Sequence, residues 1–94
     1  MSYYVHISRS PGAGMTEYRA VERELGPEPR AGLRSHHAGV VDGELVVVDV
    51  WDSRADADRF AAERLFPAFE RAEVRPDTTA DITAFESLAA GVPA

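Results

Sequence analysis

His36, Asp49, Arg34 and Trp51 are the residues whose types could do chemistry together, and a turn signal brings them within reach of one another. Asp42-Gly43 stands between two apolar runs, the pattern of a two-residue type I′ hairpin loop. Gly takes the positive φ such a turn needs without cost, and Asp tolerates it. With that loop, Val41 faces Glu44, Val40 faces Leu45, Ala38 faces Val47, His36 faces Asp49 and Arg34 faces Trp51. Side chains alternate along a strand, so the last four of these pairs share one face, and Val41 lies on the other. An imidazole with an unperturbed pKa of about 6.5 is a suitable base at neutral pH. A carboxylate opposite it fixes the tautomer, an arginine can hold an anion, and an indole offers a flat wall. Such a set could act as a general base with an anion partner and an aromatic wall beside it. The same pair could equally be a cross-strand polar contact that satisfies itself. A loop one residue longer, with a bulge, would set His37 beside Asp49 instead.

Other reactive groupings carry less. His36 and His37 are consecutive on a strand and point to opposite faces, so they do not chelate one ion; His6 could join one of them, but three histidines without cysteine are a thin metal set. We expect no metal and no cofactor. Ser35 adjoins His36 but faces away, which rules out a nucleophile–base contact within the strand. The stretch SPGAG at 10–14 lacks the Gly-Lys-Ser/Thr ending of a phosphate loop and reads as a connection. The absence of Cys excludes disulfides, thiol nucleophiles and thiolate metal sites, and the absence of Lys excludes Schiff-base chemistry.

The elements that must position these residues follow from periodicity. Residues 2–8 alternate as a strand, with Tyr4, His6 and Ser8 on one face and Tyr3, Val5 and Ile7 on the other. Residues 15–25 read as a helix capped by Thr16. Its stripe is Tyr18, Val21, Glu22 and Leu25, Glu22 being the one polar interruption; Gly26-Pro27 ends it. Ser53, with Asp56 three residues on, caps a second helix carrying Ala57, Phe60, Ala61 and Leu65 on one face, while Asp58, Arg59, Glu63 and Arg64 form a mostly solvated face. Pro67 predicts a kink at Phe66 and a short second piece over 68–72. Residues 80–88 give a last strand. The order β-α-β-β-α-β is the ferredoxin-like α+β arrangement: a four-stranded antiparallel sheet with two helices on one face, the first strand between the third and fourth. Residues 1–88 form a single domain, and 89–94 are a tail.

Ninety-four residues allow one modest core. A net charge of −6 argues against nucleic acid and anionic membranes as partners. No apolar run reaches membrane-spanning length and no signal-peptide pattern opens the chain, so a cytoplasmic protein is expected. The strand 44–51 is apolar on both faces: Leu45, Val47 and Trp51 on one, Val46, Val48 and Val50 on the other. Two helices cover one face, and the other predicts a homodimer joined sheet to sheet.

The run Gly32-Leu33-Arg34-Ser35-His36, then Ala38-Gly39, then Val48-Val50-Trp51-Asp52-Ser53 and Phe60, resembles the antibiotic biosynthesis monooxygenase-like group of dimeric α+β barrel proteins. The strand-ending Trp-Asp-Ser that runs into a helix with an inward Phe is its most specific part, and the likeness spans about residues 3–88. It implies a pocket between sheet and helices. It also implies activities such as cofactor-independent oxidation of polyphenols and quinone precursors, or haem degradation. Trp51 matches the strand-end Trp of the active members. Their first-strand Asn has no counterpart, Tyr4 or His6 standing near its place, and residues 53–72 contain no His of the kind haem-degrading members use. The expected function is oxidation of an aromatic, polyketide-type molecule by a small dimeric monooxygenase-like protein. His36 would be its base, Asp49 the orienter, and Trp51, Arg34, Tyr4, His6 and Phe60 the substrate contacts. The alternative is a non-catalytic dimeric ligand-binding or assembly domain.

Overall fold

The computed structural model describes residues 2–89. In chain order the elements are β1 (Tyr3–Ser10), α1 (Met15–Leu25), β2 (Leu33–Val41), β3 (Glu44–Trp51), α2 (Arg54–Phe60), a π-helical turn (Ala61–Leu65), α3 (Phe66–Ala72) and β4 (Asp81–Ser87). The sheet order is β2-β3-β1-β4, every pair antiparallel. This is the ferredoxin-like α+β fold that the alternation of elements predicts. All but the first residue of the expected tail at 89–94 lies outside the described residues.

Asp42 and Gly43 have φ of 50° and 78°, both in the left-handed region that a type I′ turn requires. The two-residue loop therefore holds, and the hairpin pairs Val41 with Glu44, Val40 with Leu45, Ala38 with Val47 and His36 with Asp49. The expected pairing fails at its far end: Leu33, not Arg34, stands opposite Trp51, and the register shifts between Leu33 and Ser35. The cause lies just upstream. Gly32 has φ 85°, and its carbonyl accepts the Asp52 N–H at 2.7 Å. A Cβ at Gly32 would meet the Asp56 carboxyl at 2.5 Å, so only glycine lets the chain pass so close to the start of α2. That clasp draws Leu33 into register and leaves Arg34 as the bulged residue.

Helix starts and stops follow their local chemistry, with two departures from expectation. The Ser53 hydroxyl accepts the Asp56 N–H at 3.2 Å and donates to the Asp56 carboxylate at 2.9 Å, the capping box as read. Thr16 does not cap α1; Gly14 holds the cap position, with no side-chain cap bond. The expected short piece at Pro67 is α3, which begins two residues earlier than expected, at Phe66, directly after the π turn. Phe66 keeps helical dihedrals, and its N–H reaches back five residues to the Ala61 carbonyl. The wider π turn makes room for a proline ring that would otherwise crowd the Glu63 carbonyl, so the helix continues without a break. Arg64 also leaves the solvated face: it donates to the carbonyls of Pro29 at 2.8 Å and Leu25 at 3.2 Å, tying this run to the end of α1.

The core lies between the helices rather than between helices and sheet. Val21 and Leu25 of α1 bury themselves against Ala68 of α3, which is fully enclosed, with Phe60, Leu65, Phe69, Ala72 and Val74 packed around them. The sheet's helix-facing side carries Leu45 and Trp51, both buried, and the smaller or polar His6, Ser8, Val47 and Asp49. Short side chains there leave the helix pair standing off from the middle of the sheet.

Candidate functional site

That stand-off is a cavity of about 180 Å³. Its floor is the middle of the sheet: His6, Ser8 and Ser10 of β1, His36 of β2, and Leu45, Val47 and Asp49 of β3. Its roof is Tyr18, Val21, Glu22 and Leu25 of α1 with Phe60, Leu65 and Phe69 of the second helical run. The floor residues come from alternate positions of three adjacent strands, as period-two geometry requires.

His36 is the centre of the polar part. Its Nδ1 bonds to the Asp49 carboxylate. A carboxylate can only accept, so Nδ1 carries the proton of this bond. Nε2 in turn lies 2.6 Å from the Tyr18 hydroxyl, within hydrogen-bond distance. The two rings are nearly parallel, 12° apart in plane with centroids at 5.8 Å. Glu22 brings a second carboxylate oxygen to 3.6 Å from Nε2 and also pairs with Arg30. The Arg30 guanidinium sits 5.3 Å above the centre of the Phe60 ring. Asp49, His36, Tyr18, Glu22 and Arg30 thus form one continuous half-buried chain along the cavity wall. Burial pushes the Tyr18 phenol above its ordinary pKa, the charge of Glu22 pushes it the same way, and Arg30 opposes them.

The residues expected to line the site divide into two groups. His36, Asp49, His6 and Phe60 meet at the cavity. Trp51 is buried and packs on Phe60 with ring centroids 5.3 Å apart, so it backs the cavity wall without forming it. Tyr4 pairs with Trp51 across β1 and β3, and borders a separate surface cleft with Ser2, Asp52, Arg54 and Glu86. Arg34 turns away, bonding Asp52 at 2.5 Å and lying 5.9 Å from the Tyr3 ring centre. The bulge that shifts it out of register also removes it from the His36 side of the sheet. Tyr18, Glu22 and Arg30 were not anticipated in the site. Glu22 did leave a sequence signal, as the one acid within the apolar stripe of α1.

Two loops close one end. The Asp77 carboxylate accepts the Gly12 N–H at 2.7 Å, the Thr79 N–H at 2.8 Å and the Thr79 hydroxyl at 2.5 Å, joining the β1–α1 loop to the segment before β4. The bonds from Thr79 and then Gly12 hold its pKa below the usual carboxylate value. Asp77 borders the cavity together with Ala13 and Arg75.

No family model matches the chain. No curated protein matches it either. Solved structures do. The structure of Rv0793 from Mycobacterium tuberculosis superposes with a TM-score of 0.69 at 20% identity, over 96% of this chain and 99% of that one. A putative antibiotic biosynthesis monooxygenase from Chloroflexus aurantiacus gives 0.68 at 16% identity, over 98% and 97%. A monooxygenase from the gene ActVA-Orf6 of Streptomyces coelicolor, in complex with nanaomycin D, gives 0.65 at 18% identity, over 97% and 92%. From end to end, then, this chain has the fold of the antibiotic biosynthesis monooxygenase-like structures.

Proposed function

We propose that this chain is a small monooxygenase-like protein that takes a flat aromatic, polyketide-type molecule between its sheet and its helices and oxidises it with O2, without a cofactor. The observation that carries the reading is the open space under the helices with the Asp49–His36 pair on its wall. In such a reaction the substrate is the reductant. A hydroxyarene with an activated methylene can give all four electrons that O2 requires: one oxygen atom becomes the new carbonyl and the other leaves as water. Removing the phenol proton first makes electron transfer to O2 far easier. His36 is the base, Asp49 holds its tautomer, Phe60 backed by Trp51 is the aromatic wall, and His6 is a polar contact. That a monooxygenase of the same fold forms a complex with nanaomycin D supports an organic ligand for this chain. We also propose that residues 1–88 act as one domain that pairs with a second copy through the sheet face the helices leave bare.

Oxygen uptake over a panel of hydroxynaphthalenes, anthrones and hydroxyquinones tests this. One O2 per substrate molecule is expected, with His36→Ala lowering the rate by about 10²–10⁴-fold while the circular dichroism spectrum stays unchanged. An unaltered rate in the variant would exclude His36 as the base. The second reading, a non-catalytic ligand-binding domain, is favoured by one observation: both ring nitrogens of His36 already have partners. Tight binding with no oxygen uptake across the panel would select it.

A further inference from the structure

The occupied state of His36 raises a question of access. A ligand hydroxyl cannot meet Nδ1, which is bonded to Asp49, nor Nε2, which is bonded to Tyr18, without breaking a short hydrogen bond. The Tyr18 oxygen is different. A phenol hydroxyl has one proton to donate and two lone pairs with which to accept. With Nε2 unprotonated the hydroxyl donates to it, the Glu22 carboxylate being the competing acceptor, and an acceptor position stays open on an oxygen that belongs to the cavity wall.

We propose that the cavity takes an ionisable phenol whose hydroxyl donates to the Tyr18 oxygen, and that Tyr18 passes its own proton to His36 Nε2, so that the ligand is held as its phenolate. The step balances. The ligand O–H bond breaks and a Tyr18 O–H bond forms; the former Tyr18 O–H bond breaks and an Nε2–H bond forms. Tyr18 ends unchanged, the ligand carries a negative charge and His36 a positive one.

The surroundings of His36 suit the charge it gains. Asp49 of β3 and Glu22 of α1 face it as carboxylates, and Arg30, from the loop after α1, faces Glu22. His6 of β1 stands beside Asp49 in the sheet register, and Tyr18 completes the shell. With a neutral His36 the two carboxylates and Arg30 leave one uncompensated negative charge; an imidazolium cancels it. Tyr18 suits the role of carrier rather than of sink, because burial and the Glu22 charge disfavour its own phenoxide. The inference rests on this cavity being the ligand site of the preceding section, and does not depend on oxidation.

The probe is 4-nitrophenol, whose anion absorbs in the visible and whose neutral form does not, added to the full chain at a pH where the free phenol is mostly protonated. Binding to the wild type should produce the anion band, an apparent fall of about one pKa unit or more, which is about tenfold in the anion-to-phenol ratio. Tyr18→Phe and His36→Gln, each checked by thermal melting, should bind the probe in its neutral form or lose it. Wild-type protein that binds only the neutral phenol, or binds none, overturns the proposal. So does a Tyr18→Phe variant that keeps the full anion band. An anion band without oxygen uptake by any hydroxyarene would retire the oxidation reading and leave this one standing.

Discussion

Tyr18 is the residue on which the polar chain of the site turns, and its environment makes it separately measurable. Its phenol is pushed up by burial first and by the Glu22 charge second, so the folded protein holds that proton more tightly than the unfolded chain does. The resulting stability is fully present below the unfolded phenol value of about 10 and is lost as pH rises through the higher folded value. In an alkaline titration followed by tyrosinate absorbance, Tyr18 should ionise above the ordinary phenol value of about 10, and Tyr18→Phe should remove that step. The denaturant midpoint of the wild type should fall more steeply above about pH 10 than that of the variant. A tyrosinate titration that Tyr18→Phe leaves without any loss above about pH 10 would contradict the burial argument. The His36–Asp49 pair could be read from sequence because Asp42-Gly43 fixes the register, and register alone puts the two side chains together. Tyr18 could not, because its place depends on how α1 rolls and how far it stands from the sheet, and no local pattern encodes either. Arg34 was misplaced for a related reason. Its position depends on a bulge set by Gly32 and Asp52, a contact that the strand's alternation does not record.

At the scale of elements, the cavity exists because α1 and the second helical run pack on each other through Val21, Leu25 and Ala68. The apolar stripes and the Gly26-Pro27 stop were legible. That the run passes Pro67 through a π turn was not, since a proline restricts its own turn but does not say whether packing further along will hold the helix together. Ala68, fully enclosed against α1, is what holds it. One end of the cavity depends on the Asp77 clasp between two loops, which the sequence shows only as turn-forming residues. The folded pKa of Asp77 lies below the ordinary 3.8, through the Thr79 bonds and then the Gly12 bond. Its contribution to stability is therefore complete above the unfolded value and disappears as pH falls through the folded one. Urea midpoints measured from neutral to strongly acidic pH should show this loss in the wild type, and a flatter acid limb in Asp77→Asn, whose amide does not titrate. Equal acid limbs would mean that the clasp is open in solution. Gly12 belongs to the same clasp: a Cβ there would meet the Asp77 carboxylate at 3.0 Å, so the loop has room for hydrogen there and little more.

For the whole molecule, the argument turns on the sheet face that the helices do not cover. Val5 and Ile7 of β1, Val46, Val48 and Val50 of β3, Val41 of β2 and Phe85 of β4 fall on it by register. Val41 and Phe85 are 46% and 48% exposed. A patch of this kind at the middle of a sheet is the mark of an interaction surface, because each Val or Ile taken fully out of water contributes about 1.5–3 kcal/mol. The proposed partner is a second copy, its own bare face being the same apolar surface turned over. Val48→Lys sets a strongly hydrated charge at the centre of that face and leaves the helix side of the sheet alone. Sedimentation equilibrium should find the wild type as a dimer and the variant as a monomer, with unchanged circular dichroism and an unchanged 4-nitrophenol band. The chain's net charge of −6 adds a second signature. Two copies repel one another, so the wild-type dimer should tighten as salt screens that repulsion over a Debye length of about 10 Å at 0.1 M. A wild type that stays monomeric at every salt concentration would mean that the apolar face is tolerated in water, and would remove the pairing from the proposed function without touching the cavity on the opposite side.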